Sequence, residues 1–265
     1  MANFVNKYLA IITLVIILVS TFIGYALDND FKEKRSTHFI VFYKDNVDKD
    51  FVDDVIDSAE SYYEEIADNL GFRRFNFWLW DERAEIYIFS DKSSYLSATN
   101  APQWSGGCAS YQEKKLWTYP HAAGFFDSVL PHELGHIIFR EFVGFYNNVP
   151  LWFEEGVASY QERSKRYAAD TIVKEAIVNN KLLSCKELNN IKNGSNIDSQ
   201  RVEVFYAQAV SIISYLIKES GKDKFARLCQ RIKEKETIDK ALDMTYFSIK
   251  DSKDLYDKWL KSFSK

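Results

Sequence analysis

Hydrophobic and polar positions change rhythm part-way along the chain. Up to about residue 120 the apolar residues fall in short runs at 38–43, 84–89, 108–111 and 116–119. These predict strands, and the last two flank a polar Gln112-Glu113-Lys114-Lys115 turn, which predicts a hairpin. One helix interrupts them. Phe51, Val52, Val55, Ile56, Ala59, Tyr62, Tyr63 and Ile66 recur at helical spacing over 48–70, and Gly71 ends the run. From Phe125 onward strand signals nearly vanish, and helical spacing covers 129–142, 151–162, 168–179, 202–219, 222–233 and 252–263. An αβ part over about 36–120, followed by a helical part over about 125–265, predicts an α+β fold with the cleft between the two parts.

The first 27 residues stand outside this pattern. They hold one charge, Lys7, then an apolar run over 8–23 and Gly24-Tyr25-Ala26-Leu27. As a signal peptide, Lys7 is the basic start and Gly24-x-Ala26 a small-x-small cleavage site. As a membrane anchor, residues 8–27 make a 20-residue helix, long enough to cross ~30 Å of hydrocarbon. Both readings put residues 28–265, the single catalytic domain expected here, outside the cytoplasm, exported or held at a membrane. Lys32, Lys34 and Arg35 just after the run set basic residues on both of its sides, which blunts the positive-inside rule as a guide to orientation.

Composition narrows the classes. Hydrophobic residues at 46% and aromatics at 16% suffice for a core, and 27% charged residues exclude a polytopic membrane protein. The net charge of −4 comes without a basic stripe, so nucleic acid is not an expected partner. Cys108, Cys185 and Cys229 fit no zinc spacing. A Cys185–Cys229 bridge is open to an exported protein, but buried thiols are the plainer expectation.

The chemistry lies in His132-Glu133-Leu134-Gly135-His136. Residues four apart share a helix face, so both imidazoles can reach one ion, and Glu133 faces the same cleft. The chain has four histidines in all, and chance would place this pattern in such a sequence on the order of a few times per thousand. Two surface histidines on an amphipathic helix are the bland alternative. A catalytic zinc takes three protein ligands and keeps one position open. After a turn over 144–150, Pro150-Leu151-Trp152-Phe153-Glu154-Glu155-Gly156-Val157-Ala158 offers two carboxylates about 100° apart on a helix, of which one can face the ion.

The two segments together resemble the gluzincin metallopeptidases, with an MA-like peptidase domain and the pattern HExxH, eighteen residues, Glu. Eighteen residues, 137–154, separate His136 from Glu155, and Leu151-Trp152-Phe153-Glu154-Glu155-Gly156-Val157-Ala158 is similar to the family's L-W-x-x-E-G-x-A. The resemblance covers roughly residues 105–230. It implies one Zn²⁺ per chain on His132, His136 and Glu155, with Glu133 as general base and Glu154 an exposed neighbour. Phe205-Tyr206-Ala207-Gln208 resembles the segment whose tyrosine stabilises the oxyanion, which gives Tyr206 that role beside its plainer reading as a core tyrosine. Gly106-Gly107-Cys108-Ala109-Ser110 stands where aminopeptidases read G-x-M-E-N. Ala109 replaces the glutamate that grips a free amine, which implies an endopeptidase acting on a peptide or protein laid along 108–111.

Lesser candidates complete the picture. His121 reads as a loop histidine, Ser159 as support behind the ligands, Asp127 or Ser128 as the cap of the histidine helix, and the aromatics at 75–80 as core. The rival functions are a non-catalytic scaffold on a peptidase fold and a zinc hydrolase of non-peptide amides. A scaffold has no need of Glu133 beside intact ligands.

Overall fold

Alternation along β2 (Phe39–Lys44) and β3 (Ala84–Ile88) turns Phe39, Val41, Ala84, Ile86 and Ile88 to one buried face. The two strands run parallel, with Val41 opposite Ile86. Parallel neighbours need a crossover, and α1 (Lys49–Asn69) supplies it. Its Val52, Val55, Ile56, Ala59, Tyr63 and Ile66 form the apolar stripe, and the Asp48 carboxylate caps it by accepting from the Asp50 N–H at 3.1 Å. The computed structural model describes residues 31–72, 78–79, 82–192, 197 and 200–264. The apolar run at 8–27, and Phe75, Phe77 and Trp80 of the aromatic cluster, lie outside the described residues. Among the described residues, no helix is long and apolar enough to cross a membrane.

The expected hairpin is β4 (Gly107–Ser110) against β5 (Lys115–Thr118), closed by a turn in which Lys114 takes φ of 54°. β5 pairs in parallel with β3, so the sheet reads β1-β2-β3-β5-β4 and β4 is an edge. The other edge, β1 (Phe31–Arg35), is a strand that periodicity did not predict. Its Phe-Lys-Glu-Lys-Arg sequence is nearly all exposed, as edge strands that avoid further pairing are.

A π-helical turn, Phe125–Val129, runs directly into α3 (Leu130–Val143). Neither Asp127 nor Ser128 caps α3, because the backbone is already helical there and the Ser128 hydroxyl is committed to Glu162. α4 (Leu151–Gln161) and α5 (Arg163–Val178) are separated by an extended Glu162, so α5 starts five residues earlier than its apolar spacing implied. Two α-helices of eight residues, α2 (Lys92–Thr99) and α9 (Ile238–Thr245), and the six-residue α6 (Cys185–Asn190), were too short for periodicity to reveal. α7 (Val202–Ser220) is buried from Val204 to Ser214 and is the axle on which α4 and α5 pack; α8 (Lys222–Lys233) and α10 (Ser252–Ser262) close the outside. The fold is α+β, a small five-stranded sheet with a mostly helical C-terminal half. α1 packs on both β2 and α3 and ties the halves together. Trp78 is fully buried and donates to the Glu141 carboxylate, and all three cysteines are free thiols.

Candidate metal centre

Two glycines let the ligand-bearing helices meet. A Cβ on Gly135 would lie 3.1 Å from the Cα of Ala158, and one on Gly156 would lie 2.7 Å from the carbonyl oxygen of Ala209. α4 is thereby pressed between α3 and α7, and every residue from Trp152 to Gln161 is buried.

α3 sets His132 and His136 one turn apart, with their Nε2 atoms 3.2 Å from each other. Glu155 Oε2 on α4 lies 3.7 Å from His132 Nε2 and 3.8 Å from His136 Nε2. A zinc ion bonded at 2.0–2.1 Å in tetrahedral geometry holds its ligand atoms roughly 3.3 Å apart, so this triangle has the size the ion requires. Among the described residues, these three form the group able to hold a metal. Glu155 Oε2 is buried without a hydrogen-bond partner, as is Glu133 Oε2 beside it. Buried carboxylates are normally paired, so two orphaned oxygens in one pocket mark it as built for something the chain does not itself provide.

The surroundings divide between the two imidazoles. His132 Nδ1 bonds Glu162 Oε1 at 2.8 Å, and Glu162 also accepts from Ser128 Oγ and, at 2.7 Å, from Lys165 Nζ. Glu162 was not among the residues the sequence singled out, although it stands seven residues, two helical turns, beyond Glu155. Ser159, expected behind the ligands, is buried with Oγ 3.5 Å from the same nitrogen, a weaker contact than that of Glu162.

Glu154, expected to be exposed, is buried. α4 has no free face at that position, so the carboxylate takes a partner. Arg140 holds it through two nitrogens, Nε at 2.6 Å, and Glu154 Oε1 lies 3.6 Å from His136 Nδ1. It therefore stands behind His136, on the ring's far side from Glu155.

Charges follow these contacts. Burial raises the Glu133 carboxyl above its ordinary range, partly offset by His132 and His136. Burial works against the charged form of His136, but Glu155 and Glu154 outweigh it and push the imidazole up to about 10. Burial likewise opposes ionisation of Glu154 and Glu162, yet His136 and Arg140 hold the first to about 2, and Lys165 and His132 hold the second to about 2. Tyr206 on α7 is buried, and burial, then Glu155, keep its proton on well above the usual range. Lys165 Nζ sits 5.4 Å from the centre of its ring. His121 lies elsewhere, exposed with φ of 60° and near Phe51. Ala109 is inward on edge strand β4, and Glu113 is exposed in the hairpin turn.

Residues 80–263 match the family model of the Peptidase MA superfamily. The chain belongs to this superfamily. No curated protein matches the chain. The Peptidase MA assignment covers the whole gluzincin-like stretch at 105–230, and the superfamily's zinc dependence agrees with a His132, His136 and Glu155 group of the right size. It makes the domain peptidase-like and a peptide or protein the substrate class its fold implies.

Proposed function

We propose that this chain is a zinc-dependent endopeptidase, exported or membrane-anchored, with one Zn²⁺ held by His132, His136 and Glu155. The observation that carries the reading is the convergence of those three ligand atoms within 4.8 Å of one another, next to the unpartnered carboxylate of Glu133. When bound, zinc supplies Lewis-acid polarisation of the scissile carbonyl and acidifies water. Glu133 takes the proton from the attacking water and delivers it to the leaving amine, a task suited to a carboxyl that burial raises above its ordinary range. Tyr206 keeps its proton and hydrogen-bonds the oxygen on which negative charge develops. Glu162 fixes the His132 imidazole from behind through its hydrogen bond to Nδ1, and Glu154, held by Arg140, places a negative charge behind His136. Placement outside the cytoplasm is supported by the lone Lys7 and the apolar run that follows it.

Elemental analysis of the purified chain tests the metal, and incubation with an internally quenched peptide library tests the reaction. About one zinc per chain, with cleavage abolished by a chelator and restored by zinc, is the expected result. A folded chain without zinc affinity would overturn the proposal.

A further inference from the structure

β4 ends at Ser110, and the next residue turns out of the hairpin into the metal centre. Tyr111 lays its ring flat on the His136 imidazole, with centroids 4.7 Å apart and planes inclined by 16°. Its hydroxyl is shut off from solvent and has no hydrogen-bond partner. Burial comes first, then the charges of Glu133 and Glu155, in keeping the phenol protonated far above its ordinary range.

A phenylalanine would give the same stack without burying an unsatisfied oxygen, which is unfavourable. Glu133 Oε2 and Glu155 Oε2 are orphaned alongside it, and neither accepts from the phenol. A buried donor without a partner, on a ring stacked against a ligand of a centre whose carboxylate oxygens also lack partners, is left for a reacting group. We propose that Tyr111 is a second catalytic hydroxyl of this centre. Its O–H, brought in from the sheet edge, hydrogen-bonds the carbonyl oxygen of the bond being cleaved, while Tyr206 reaches the same oxygen from the helical side.

This inference rests on the peptidase reading and deepens it, so the test separates the two. Tyr111→Phe keeps the ring on His136 and removes only the hydroxyl; Tyr111→Ala removes both. The zinc-loaded full chain is assayed on a quenched peptide, and a phosphinic tripeptide, which mimics the tetrahedral oxyanion, is titrated calorimetrically into each variant. Tyr111→Phe should retain zinc content and KM, melt no lower than the wild type, lose roughly 10²-fold in kcat, and bind the phosphinic tripeptide weaker by a similar factor. Tyr111→Ala should lower zinc affinity as well, because the stack that steadies His136 is gone. Wild-type kcat and wild-type phosphinic affinity in Tyr111→Phe would overturn the assignment and reduce the residue to packing. If the zinc-loaded wild type neither cleaves peptides nor binds the phosphinic tripeptide, the peptidase reading has failed and this inference falls with it.

Discussion

Removing a proton from water and holding a metal are separate tasks, and the proposed reading gives the first to Glu133 and the second to His132, His136 and Glu155. Glu133→Gln keeps the shape of the side chain and cannot take up the proton. It should retain zinc and fold while hydrolysis falls by about 10²–10⁴-fold, read by elemental analysis and initial rates on one preparation. Glu155→Ala deletes a ligand and should nearly abolish zinc affinity. Glu162→Gln leaves His132 Nδ1 without its carboxylate, and carboxylates in that position are worth about 10–100-fold in metal affinity. Competition with a chelator should show that loss, and unchanged affinity would mean Glu162 serves Lys165 and Ser128 alone. Glu154→Ala removes the partner of a mostly buried Arg140 and should cost about 3 kcal/mol of stability. Its effect on zinc should be smaller than that of Glu155→Ala, and the reverse order would show that the third ligand has been misassigned. Ligand spacing was legible in the sequence because one helix turn and one short loop fix it. Glu162 and Tyr111 were not, since their partners His132 and His136 become neighbours only when α4 and the hairpin dock on α3.

Docking of elements explains why small residues interrupt the ligand helices. Gly156 follows Glu155 on the face that meets α7, where an added methyl would strike the carbonyl of Ala209 at 2.7 Å and Ile213 at 2.8 Å. Backbone cannot yield as a side-chain tip can, so Gly156→Ala should cost about 1–3 kcal/mol and lower the melting temperature by several degrees. Because the methyl forces α4 off α7, the loss should appear in chelator as well as in zinc. A drop confined to the zinc-loaded form would instead mean that the glycine matters to the ligand geometry alone. Gly135→Ala meets the Cα of Ala158 and the Cγ of Gln161, both at 3.1 Å rather than 2.7 Å, and should cost less. Elements that bury a continuous stripe, such as α1 and α7, announce themselves in the sequence. β1 and α6 do not: the first is a charged edge that pairs through its backbone, and the second stands on a Ser184–Glu187 capping box rather than on apolar spacing.

At the scale of the whole molecule, the proposed centre lies where the helices meet the edge of the sheet. β4 pairs with β5 on one side and is the last strand of the sheet, so its other side can take an extended peptide by backbone hydrogen bonds. Such binding reads the chain on both sides of the cleaved bond and asks nothing of a terminus. Ala109 on that strand supplies no carboxylate, and the acid nearest in sequence, Glu113, is exposed in the turn. A free α-ammonium brought to this edge would lose water without gaining a partner, which is unfavourable. Quenched peptides of about eight residues with blocked ends should therefore be cut faster than amino-acid amides or anilides, by at least ~10-fold in kcat/KM, since short substrates forgo the strand pairing as well. The comparison is best made at matched zinc loading. Faster turnover of the small free-amine substrates would show that an acid reaches the amine after all, and Glu113→Gln would then be the variant to make, because loss of amine preference in it would locate that acid in the hairpin turn.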